Sequence, residues 1–373
     1  MPKIKKQKKN IKIAIILGTR PEIIKMAPIV RACEKKGVDF FILHTGQHYS
    51  RELNTEIFKN LELPRPKYNL GVGGKPYRMQ VGLMVRDIME VLKKEQPSVS
   101  IVQGDTISVL AGALASNRLG IKVAHHEAGL RSHDITMLEE INRVIVDQIS
   151  HFLFAPSREA VRNLKEESRN SNKVYLTGNT IVDAVLENLV IADKKVRVLK
   201  KFNLKPKKYI VVTAHRAENV DEPKRLQNII TGIDLVGRFA KIPVIYPMHP
   251  RTRKNLQKFA IKIPRKIKVI EPLSFLEFLQ LEKNAALVIT DSGGLQEECF
   301  IMKVPCVTLR DNTERPETVE FGGNVIAGNK PEKILSSAKK MLNKKIESRA
   351  KPFGDGKAGK RIVDILLREL RQF

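Results

Sequence analysis

Short runs of apolar residues, rich in Val and Ile, recur along the chain and alternate with longer segments that have helical spacing. The runs do not alternate strictly between apolar and polar residues, which is typical of strands buried on both faces of a parallel sheet. Between them lie segments with helical spacing. One helical face, which we expect to pack, carries Leu138, Ile141, Ile145 and Ile149. Strands are therefore predicted at residues 11–18, 38–43, 98–103, 121–126, 151–155 and 173–178, and again at 208–214, 242–247, 267–272, 286–291, 304–309 and 324–328.

The pattern divides the chain into two similar halves, separated by a charged stretch at residues 183–207. Repeated strand–helix units of this kind predict an α/β fold with two doubly wound parallel-sheet domains. Ligands of such sheets bind beyond the carboxyl ends of the strands. We therefore expect a cleft between the domains, where polar residues that directly follow the strands carry the chemistry.

Length and composition are those of a globular protein. The chain has 373 residues, of which 42% are apolar, and such a length favours two domains. No run approaches the roughly 20 apolar residues that a membrane helix needs. Residues 1–10 form a basic tail, and the apolar run after it leads into Gly18-Thr19-Arg20 instead of a signal-peptide cleavage site. Three cysteines without a paired spacing favour a reducing, cytoplasmic compartment.

The formal net charge of +27 raises the hypothesis of a nucleic-acid partner. The alternative is a lysine-rich solvated surface, because the lysines are spread along the whole chain. Only 5% of residues are aromatic and none is Trp, so platforms for stacking bases are scarce. We therefore expect no specific nucleic-acid partner, and a positive field that attracts an anionic small substrate.

Charged residues follow the first and third predicted strands. Arg20 and Lys25 flank the start of a helix, which is a good position for phosphate, although a plain strand–helix connection with surface cations is the alternative. Asp105, in "QGDT", either faces the cleft or caps the next helix. The stretch after the first strand, "GTRPEIIKMAP", lacks the Gly-x-Gly-x-x-Gly spacing, so these residues do not predict a dinucleotide site.

More carboxylates follow the fourth predicted strand, in "HHEAGLRSHD" and "MLEEINRVIVDQ". A metal site is conceivable here, but the His-Glu-x-x-His spacing is absent and adjacent strand residues point to opposite faces. We therefore interpret Glu127 as a cleft carboxylate without a metal. Glu139, Arg143 and Asp147 lie at i, i+4 and i+8, which indicates either a surface salt-bridge ladder or a Glu139 that faces the cleft and is oriented by Arg143.

In the second half, two strand ends carry further candidate residues. His215 and Arg216 directly follow a strand in "TAHRAEN", and a His-Arg pair there favours function over a purely structural histidine. In "TDSGGLQEE", Ser292, Gly293 and Gly294 form the turn into a helix, whose N–H groups are suited to a diphosphate.

The glutamates after this turn cannot bind phosphate, so we expect Glu298 to accept hydrogen bonds from a ribose. Further along, "LRDNTERPE" supplies Arg310 and Arg315 as additional cations. The second half therefore predicts a site for a nucleoside diphosphate.

Seven motifs occur in the order of the non-hydrolysing UDP-N-acetylglucosamine 2-epimerases, and the chain resembles that family from about residue 11 to its end; they are "GTRPEIIKMAP", "QGDT", "HHEAGLRS", "EEINR", "TAHRAEN", "TDSGGLQEE" and "RDNTERPE". The resemblance implies GT-B architecture, with Rossmann-like domains at residues 1–182 and 183–357, of which the second binds UDP. A C-terminal helix at 358–373 is expected to pack back onto the first domain. A cytoplasmic homodimer that serves polysaccharide biosynthesis and uses neither cofactor nor metal is also implied.

The activity implied by the resemblance is reversible epimerisation at C2 of UDP-GlcNAc to UDP-ManNAc, through elimination of UDP to 2-acetamidoglucal and re-addition. Which carboxylate removes the C2 proton, and whether UDP-GlcNAc is also an allosteric activator, stays open. Phe278 matches an aromatic residue near the uracil. The residues that match the family's site are Asp105, Glu127, Glu139 and His215 as catalytic groups, and Arg20, Lys25, Asp105, Glu127, His215, Phe278, Ser292, Gly293, Gly294, Glu298 and Arg315 as substrate-binding groups.

Two related activities are alternatives. A hydrolysing 2-epimerase would release ManNAc and UDP, but those relatives usually have Arg-Ala-Asp where this chain has Arg20-Pro21-Glu22. A GT-B glycosyltransferase would use the same UDP site on a separate acceptor, and the extra carboxylates would then have no role.

Overall fold

In the computed structural model of the chain, strands with buried Val, Ile and Leu side chains form two parallel sheets, one in each of two compact units. The first unit comprises residues up to 184 together with those from 353 onward, and the second comprises residues 185–352. The structure describes residues 11–47, 51–74, 76–167, 173–347 and 350–372. The predicted basic tail, residues 1–10, and the last residue of the predicted C-terminal helix lie outside the described residues.

The strands are short, and those in the middle of each sheet are buried. They are β1 (Lys12–Leu17), β2 (Asp39–His44), β3 (Tyr68–Asn69), β4 (Val99–Gln103), β5 (Lys122–His126), β6 (Phe152–Ala155), β7 (Val174–Leu176), β8 (Ile210–Thr213), β9 (Val244–Pro247), β10 (Ile267–Ile270), β11 (Leu287–Thr290), β12 (Cys306–Thr308) and β13 (Asn324–Ile326).

Helices connect the strands. They are α1 (Arg20–Lys36), α2 (Arg51–Asn60), α3 (Tyr77–Glu95), α4 (Ile107–Arg118), α5 (Leu138–Ile149), α6 (Arg158–Glu167), α7 (Thr180–Lys195), α8 (Val198–Phe202), α9 (Ala217–Val220), α10 (Pro223–Ala240), α11 (Pro250–Lys258), α12 (Phe275–Lys283), α13 (Gly293–Ile301), α14 (Pro316–Glu320), α15 (Pro331–Met341) and α16 (Ala358–Leu370).

Both sheets have the same winding. The first has the order β3-β2-β1-β4-β5-β6-β7 and the second β10-β9-β8-β11-β12-β13, with parallel pairing throughout the described strands. The strand order reverses between β1 and β4 in the first unit and between β8 and β11 in the second. These are the switch points at which doubly wound sheets bind ligands. We therefore expect ligand-binding residues in the loops after β1, β4, β8 and β11.

The predicted α/β class with two doubly wound sheets is confirmed, and each of the twelve predicted strands overlaps an observed one. β3 was not predicted, because a two-residue strand of Tyr and Asn has no apolar run.

One helical face was predicted wrongly. Of the predicted face, Leu138, Ile141 and Ile145 of α5 are 50%, 41% and 37% exposed, and Ile149 at the end of the helix packs against the core. The buried side of α5 instead carries Glu140, Asn142, Val146 and Asp147.

The C-terminal helix α16 packs against α1 within the first unit, where a Cβ on Gly359 would come within 2.8 Å of Pro28. Among the described residues, no helix combines the length and the apolar composition needed to cross a membrane.

Candidate active site

The loop after β1 is a tight turn that a buried carboxylate holds in place. Glu22 on α1 accepts hydrogen bonds from the backbone N of Gly18 (2.5 Å) and Thr19 (3.2 Å), and from Thr106 Oγ1 (2.6 Å). A Cβ on Gly18 would lie 2.1 Å from side-chain atoms across the sheet, so this turn requires glycine. The turn places Arg20 at the exposed start of α1 and Lys25 one turn later, half-buried.

Lys25 reaches the carboxylate of Glu127, which directly follows β5. Lys25 Nζ lies 2.6 Å from Glu127 Oε1, and Asn179 Nδ2 donates to the same oxygen at 3.0 Å. The side-chain amide of Gln103 donates to the other oxygen, Oε2. Glu127 is buried, and its backbone has φ of +68°, a region that residues other than glycine rarely occupy. A strained backbone that aims a buried carboxylate is common at functional sites.

Asp105, after β4, forms the second part of this cluster. Arg143 on α5 bridges two carboxylates, because Nη2 lies 2.5 Å from Asp105 Oδ2 and Nη1 lies 2.9 Å from Glu140 Oε2. Burial raises the pKa of Asp105 above its ordinary value, and the nearby charge of Glu127 acts in the same direction, while Arg143 opposes it. Asp105 is thus a carboxyl group that is more readily protonated than usual, beside a second carboxylate held by Lys25.

The structure separates the two neighbouring glutamates of α5. Glu139, the predicted catalytic residue, is exposed. Glu140 is buried and accepts from Ser132 N (2.9 Å), Ser132 Oγ (3.0 Å) and His133 N (3.2 Å) as well as from Arg143. Burial acts to raise the pKa of Glu140, but these hydrogen bonds outweigh it and hold the pKa below its ordinary value. The structure therefore brings Glu140, and not Glu139, together with Asp105.

The histidines of β5 are structural supports of this cluster. His125 Nδ1 lies 2.6 Å from Asp147 Oδ1 and Nε2 lies 2.8 Å from the carbonyl oxygen of Gly104, directly before Asp105. His126 lies 2.7 Å from Thr180 Oγ1, and burial lowers its pKa to about 4, so it is neutral at pH 7. Within the described parts of the chain, no three His, Cys, Asp or Glu side chains are grouped to hold a metal ion.

In the second unit, Asp291 after β11 organises the loop after β8. Its Oδ2 accepts from the backbone N of His215 (2.9 Å) and Arg216 (2.9 Å) and from Asn219 Nδ2 (3.2 Å). His215 Nδ1 lies 3.4 Å from Asp291 Oδ1, and the ring of His215 is partly exposed and 5.6 Å from the ring of His249. Asp291 therefore fixes the backbone of His215 and leaves its imidazole accessible.

The next residues, Ser292 to Gly294, begin α13. The backbone N of Ser292 donates to Thr290 Oγ1 at 3.0 Å, whereas Gly293 and Gly294 are the first two helical residues, whose N–H groups have no partner within the helix. Both glycines lack a positive φ, and a Cβ on either would meet no protein atom closer than 4.0 Å. Neither backbone conformation nor packing in the described structure requires glycine here, and the absence of side chains leaves room for a ligand to approach these N–H groups.

The other predicted residues of the second unit lie on or beside α13. Glu298 is buried one and a half turns further along the helix. Arg315 Nε lies 2.8 Å from Glu297 Oε1, so the predicted cation is paired with a glutamate of α13. Phe278 on α12 is half-buried against the apolar core on that side of the sheet. Arg310 is buried and pairs with Glu218 at 3.1 Å.

Sequence reasoning missed several residues that hold the carboxylates in place. Gln103 and Asn179 both donate to Glu127, and Glu140 shares Arg143 with Asp105. Asn179 follows β7, so the rule that polar residues at strand ends line the site would have found it. Which of Glu139 and Glu140 is buried depends on the rotation of α5 about its axis. The apolar stripe predicted that rotation wrongly.

Comparison with known proteins identifies the family. The family described as UDP-N-acetylglucosamine 2-epimerase matches residues 31–367. The UDP-N-acetylglucosamine 2-epimerase of Methanocaldococcus jannaschii is 53% identical over 362 residues, which cover 95% of this chain and 99% of that protein. The enzyme of the same name from Methanococcus maripaludis is 50% identical over 364 residues, 96% of this chain and 99% of its own.

Solved structures give the same result. The crystal structure of the M. jannaschii UDP-GlcNAc 2-epimerase in complex with UDP-GlcNAc and UDP matches with a TM-score of 0.86, at 53% identity, over 96% of this chain and 100% of that chain. The fold match confirms the predicted GT-B architecture. Together with the family match over most of the chain, it shows that this protein belongs to the UDP-N-acetylglucosamine 2-epimerase family.

Proposed function

We propose that this chain catalyses the reversible epimerisation of UDP-GlcNAc to UDP-ManNAc without hydrolysis. The observation that carries the proposal is the pair of adjacent carboxyl groups, Asp105 and Glu127, each bound to a cation at a strand end of the first unit. Inversion at C2 needs proton transfer on both faces of the sugar, and two independently held carboxyl groups supply the two acid–base functions.

The reaction proceeds by elimination and re-addition. A carboxylate takes the C2 proton, the C1–O bond breaks with its electron pair going to UDP, and the C1–C2 double bond of 2-acetamidoglucal forms. Protonation of C2 on the opposite face and attack of the UDP oxygen on C1 give UDP-ManNAc. No electrons are gained or lost overall, so the chemistry calls for no redox cofactor.

The C2 proton is weakly acidic, so stabilisation of the leaving UDP supplies much of the decrease in the activation free energy. We assign the diphosphate to Ser292 and the N–H groups of Gly293 and Gly294, with Arg20 and Arg315 as further cations. Two further assignments complete the nucleotide site: Phe278 beside the uracil and Glu298 on the ribose.

The remaining residues serve the reacting part of the substrate. Lys25 orients Glu127 and adds positive charge for the diphosphate, and His215 presents its accessible imidazole beside the phosphate turn. Burial raises the pKa of Asp105 above its ordinary value, which suits a group that has to take up a proton as well as release one. We keep Glu139 as a proposed catalytic residue because the resemblance assigns it. The buried Glu140 is the alternative for that role.

We also propose a homodimer formed through an apolar surface of the first unit. Leu138, Ile141, Val144 and Ile145 line the outer face of α5, and Leu114 of the adjacent α4 is also exposed. A contiguous exposed apolar face on a helix is typical of a protein–protein interface. Light scattering on wild type and Ile141→Lys tests this: a dimer that becomes monomeric is expected, with Phe239→Lys, an exposed apolar residue of the second unit, as the control.

The cellular setting is proposed from chemistry alone. All three cysteines are free and buried, which fits a reducing cytoplasm. The product is an activated N-acetyl sugar, which suits a supplier of polysaccharide biosynthesis.

Proton NMR of the purified protein with UDP-GlcNAc in deuterated water tests the activity. UDP-ManNAc with deuterium at C2 and little free ManNAc is expected. Accumulation of free ManNAc with UDP would instead identify the hydrolysing activity. An unchanged substrate would contradict the epimerase and favour a glycosyltransferase.

The catalytic assignment is tested with two matched variants. Glu127→Gln removes a buried carboxylate held by a lysine, and so does Glu95→Gln, whose carboxylate lies 2.5 Å from Lys12 Nζ at the other end of β1. Deuterium incorporation should be lost in the first variant and kept in the second. Equal activity in both would show that Glu127 is not catalytic.

A further inference from the structure

The two edges of the second sheet differ in charge. Its strands are parallel, so the loops that lead into them lie at one edge and the loops that follow them lie at the other. The loops that follow the strands contain carboxylates, such as Asp291 and Asp311. In the loops that lead into the strands every charged residue is Lys or Arg; these loops are residues 203–209, 241–243, 259–266, 284–286, 302–305 and 321–323. This amino-terminal edge is therefore cationic, and it lies opposite the strand ends to which we assign UDP.

A concave pocket lies at this edge, beside the starts of the central strands β8, β11 and β12. Its volume is about 390 Å³, which is within the range of small-molecule sites, about 300–1,000 Å³. Four lysines line it, and we term it the lysine pocket: Lys207, Lys303, Lys344 and Lys345. Among the residues that the structure describes, no Asp or Glu lines this pocket.

Carbonyl oxygens hold two of the four ammonium groups in place. Lys207 Nζ donates to the carbonyl oxygens of Lys283 (3.0 Å) and Ala285 (2.9 Å). Lys344 Nζ donates to the carbonyl oxygen of Gly322 (2.8 Å). An ammonium group has three N–H donors, so one donor on Lys207 and two on Lys344 are left for a ligand.

The lysine pocket differs from the ordinary charged surface of the same unit. There, lysines pair with carboxylates: Lys201 lies 2.8 Å from Glu277, and Lys283 lies 2.9 Å from Asp193. Over the described ranges of the chain, none of the four pocket lysines has such a partner. Like charges that line one concave pocket repel one another, and the pocket walls concentrate their positive field. A bound anion would offset this repulsion.

We propose that the lysine pocket binds a small oligophosphate anion, at a site separate from the proposed UDP site. Four cations without a carboxylate fit a ligand with several negative charges. Phosphate oxygens are strong acceptors for the N–H donors that the carbonyl groups leave available. The concave shape and the two fixed ammonium groups favour a small ligand over an extended nucleic acid or a membrane surface.

Titration calorimetry with tripolyphosphate tests the site, on protein saturated with UDP so that the proposed nucleotide site is occupied. The pocket variant combines Lys303→Gln with Lys344→Gln. The matched control combines Lys241→Gln with Lys266→Gln, which removes the same charge from the same edge outside the pocket. Lys241 and Lys303 also share a left-handed backbone conformation, with φ of +54° and +56°.

We expect wild type to bind a single tripolyphosphate per chain. The pocket variant should bind it at least about 10-fold more weakly, the size expected for loss of a hydrogen bond between charged groups. The control variant should change the Kd by about 2-fold or less, because only the general field of the edge is reduced. Both variants should keep the wild-type Kd for UDP, which shows that they are folded.

Several outcomes would overturn the inference. Wild type that does not bind tripolyphosphate has no such site. Equal weakening in both variants would show a diffuse field instead of a pocket. Binding that UDP abolishes, and that the pocket variant keeps in the absence of UDP, would belong to the nucleotide site. Sedimentation with phosphatidylglycerol vesicles, or binding of a single-stranded DNA oligonucleotide, without binding of tripolyphosphate would replace the pocket by a surface for a membrane or a nucleic acid.

Discussion

Gly293 and Gly294 begin α13, and replacing each by alanine tests whether this helix end binds a diphosphate. A Cβ on Gly293 meets nothing nearer than Glu314 Oε2 at 4.0 Å, and one on Gly294 meets nothing nearer than Ser292 Oγ at 4.0 Å. Neither glycine has a positive φ. The described structure has room for both methyl groups, so only a molecule bound at these N–H groups would collide with them.

Both variants should therefore fold at least as stably as the wild type. Alanine restricts the unfolded chain more than glycine does, which stabilises a compatible site by about 0.4–1 kcal/mol. Gly82→Ala on α3 is the matched control, because a Cβ there also meets nothing within 4 Å. Urea unfolding should give all three variants a free energy of unfolding equal to or above that of the wild type.

The affinity for UDP should distinguish the variants at the start of α13 from the control variant on α3. A methyl group at the start of α13 displaces the diphosphate from the helix N–H groups, and loss of one hydrogen bond to a charged group raises Kd by about 10-fold or more. Titration calorimetry should show this weakening for Gly293→Ala and Gly294→Ala, and an unchanged Kd for Gly82→Ala. Wild-type affinity in both α13 variants would refute the reasoning, because the space above these glycines would then be empty in the UDP complex.

Three further tests extend these predictions. Glu139→Gln removes the carboxylate that we propose as catalytic, so it should lower kcat in the deuterium assay at least about 10-fold more than Glu140→Gln does at the neighbouring buried position. A larger loss in Glu140→Gln would transfer the catalytic role to Glu140. Burial raises the pKa of Glu22 from 4.5 to about 7, so its contribution to the free energy of unfolding is full below pH 4.5 and is lost as the pH rises through 7. That loss is about 3 kcal/mol, and urea unfolding near pH 5 and near pH 8 should show it in wild type but not in Glu22→Gln. Ile141→Lys should give a monomer by light scattering, and an unchanged molar mass would exclude the α5 interface.

Much of the fold was predictable because burial on both faces leaves a simple signal. Twelve strands are short, mainly apolar runs, and each is bounded by turn residues or helices. The repeat of that pattern on both sides of residues 183–207 predicted two doubly wound sheets. β3 could not be predicted, because its two residues pair with the end of β2 without an apolar run of their own.

The site was predictable where it follows the strand-end rule and unpredictable where it depends on rotation or on tertiary neighbours. Asp105, Glu127 and Ser292 directly follow strands, and the sequence placed all three at the edge of their sheets. Glu140 lies on a helix, where the partners that decide its role come from another part of the chain.

The helix α5 shows why periodicity alone could not settle the orientation. Its apolar stripe has the spacing of a core-facing helix, yet that stripe is exposed and the polar stripe faces inward. The inward stripe holds Glu140 and Arg143, which positions Asp105, so the requirements of the site outweigh the usual preference for apolar burial. The apolar outer face of α5 is the surface that we propose for the homodimer. In that proposed dimer α5 would join the subunit interface to the carboxylate cluster. A variant that dissociates it should therefore lower kcat more than it weakens UDP binding, because the residues assigned to UDP lie mostly in the second unit.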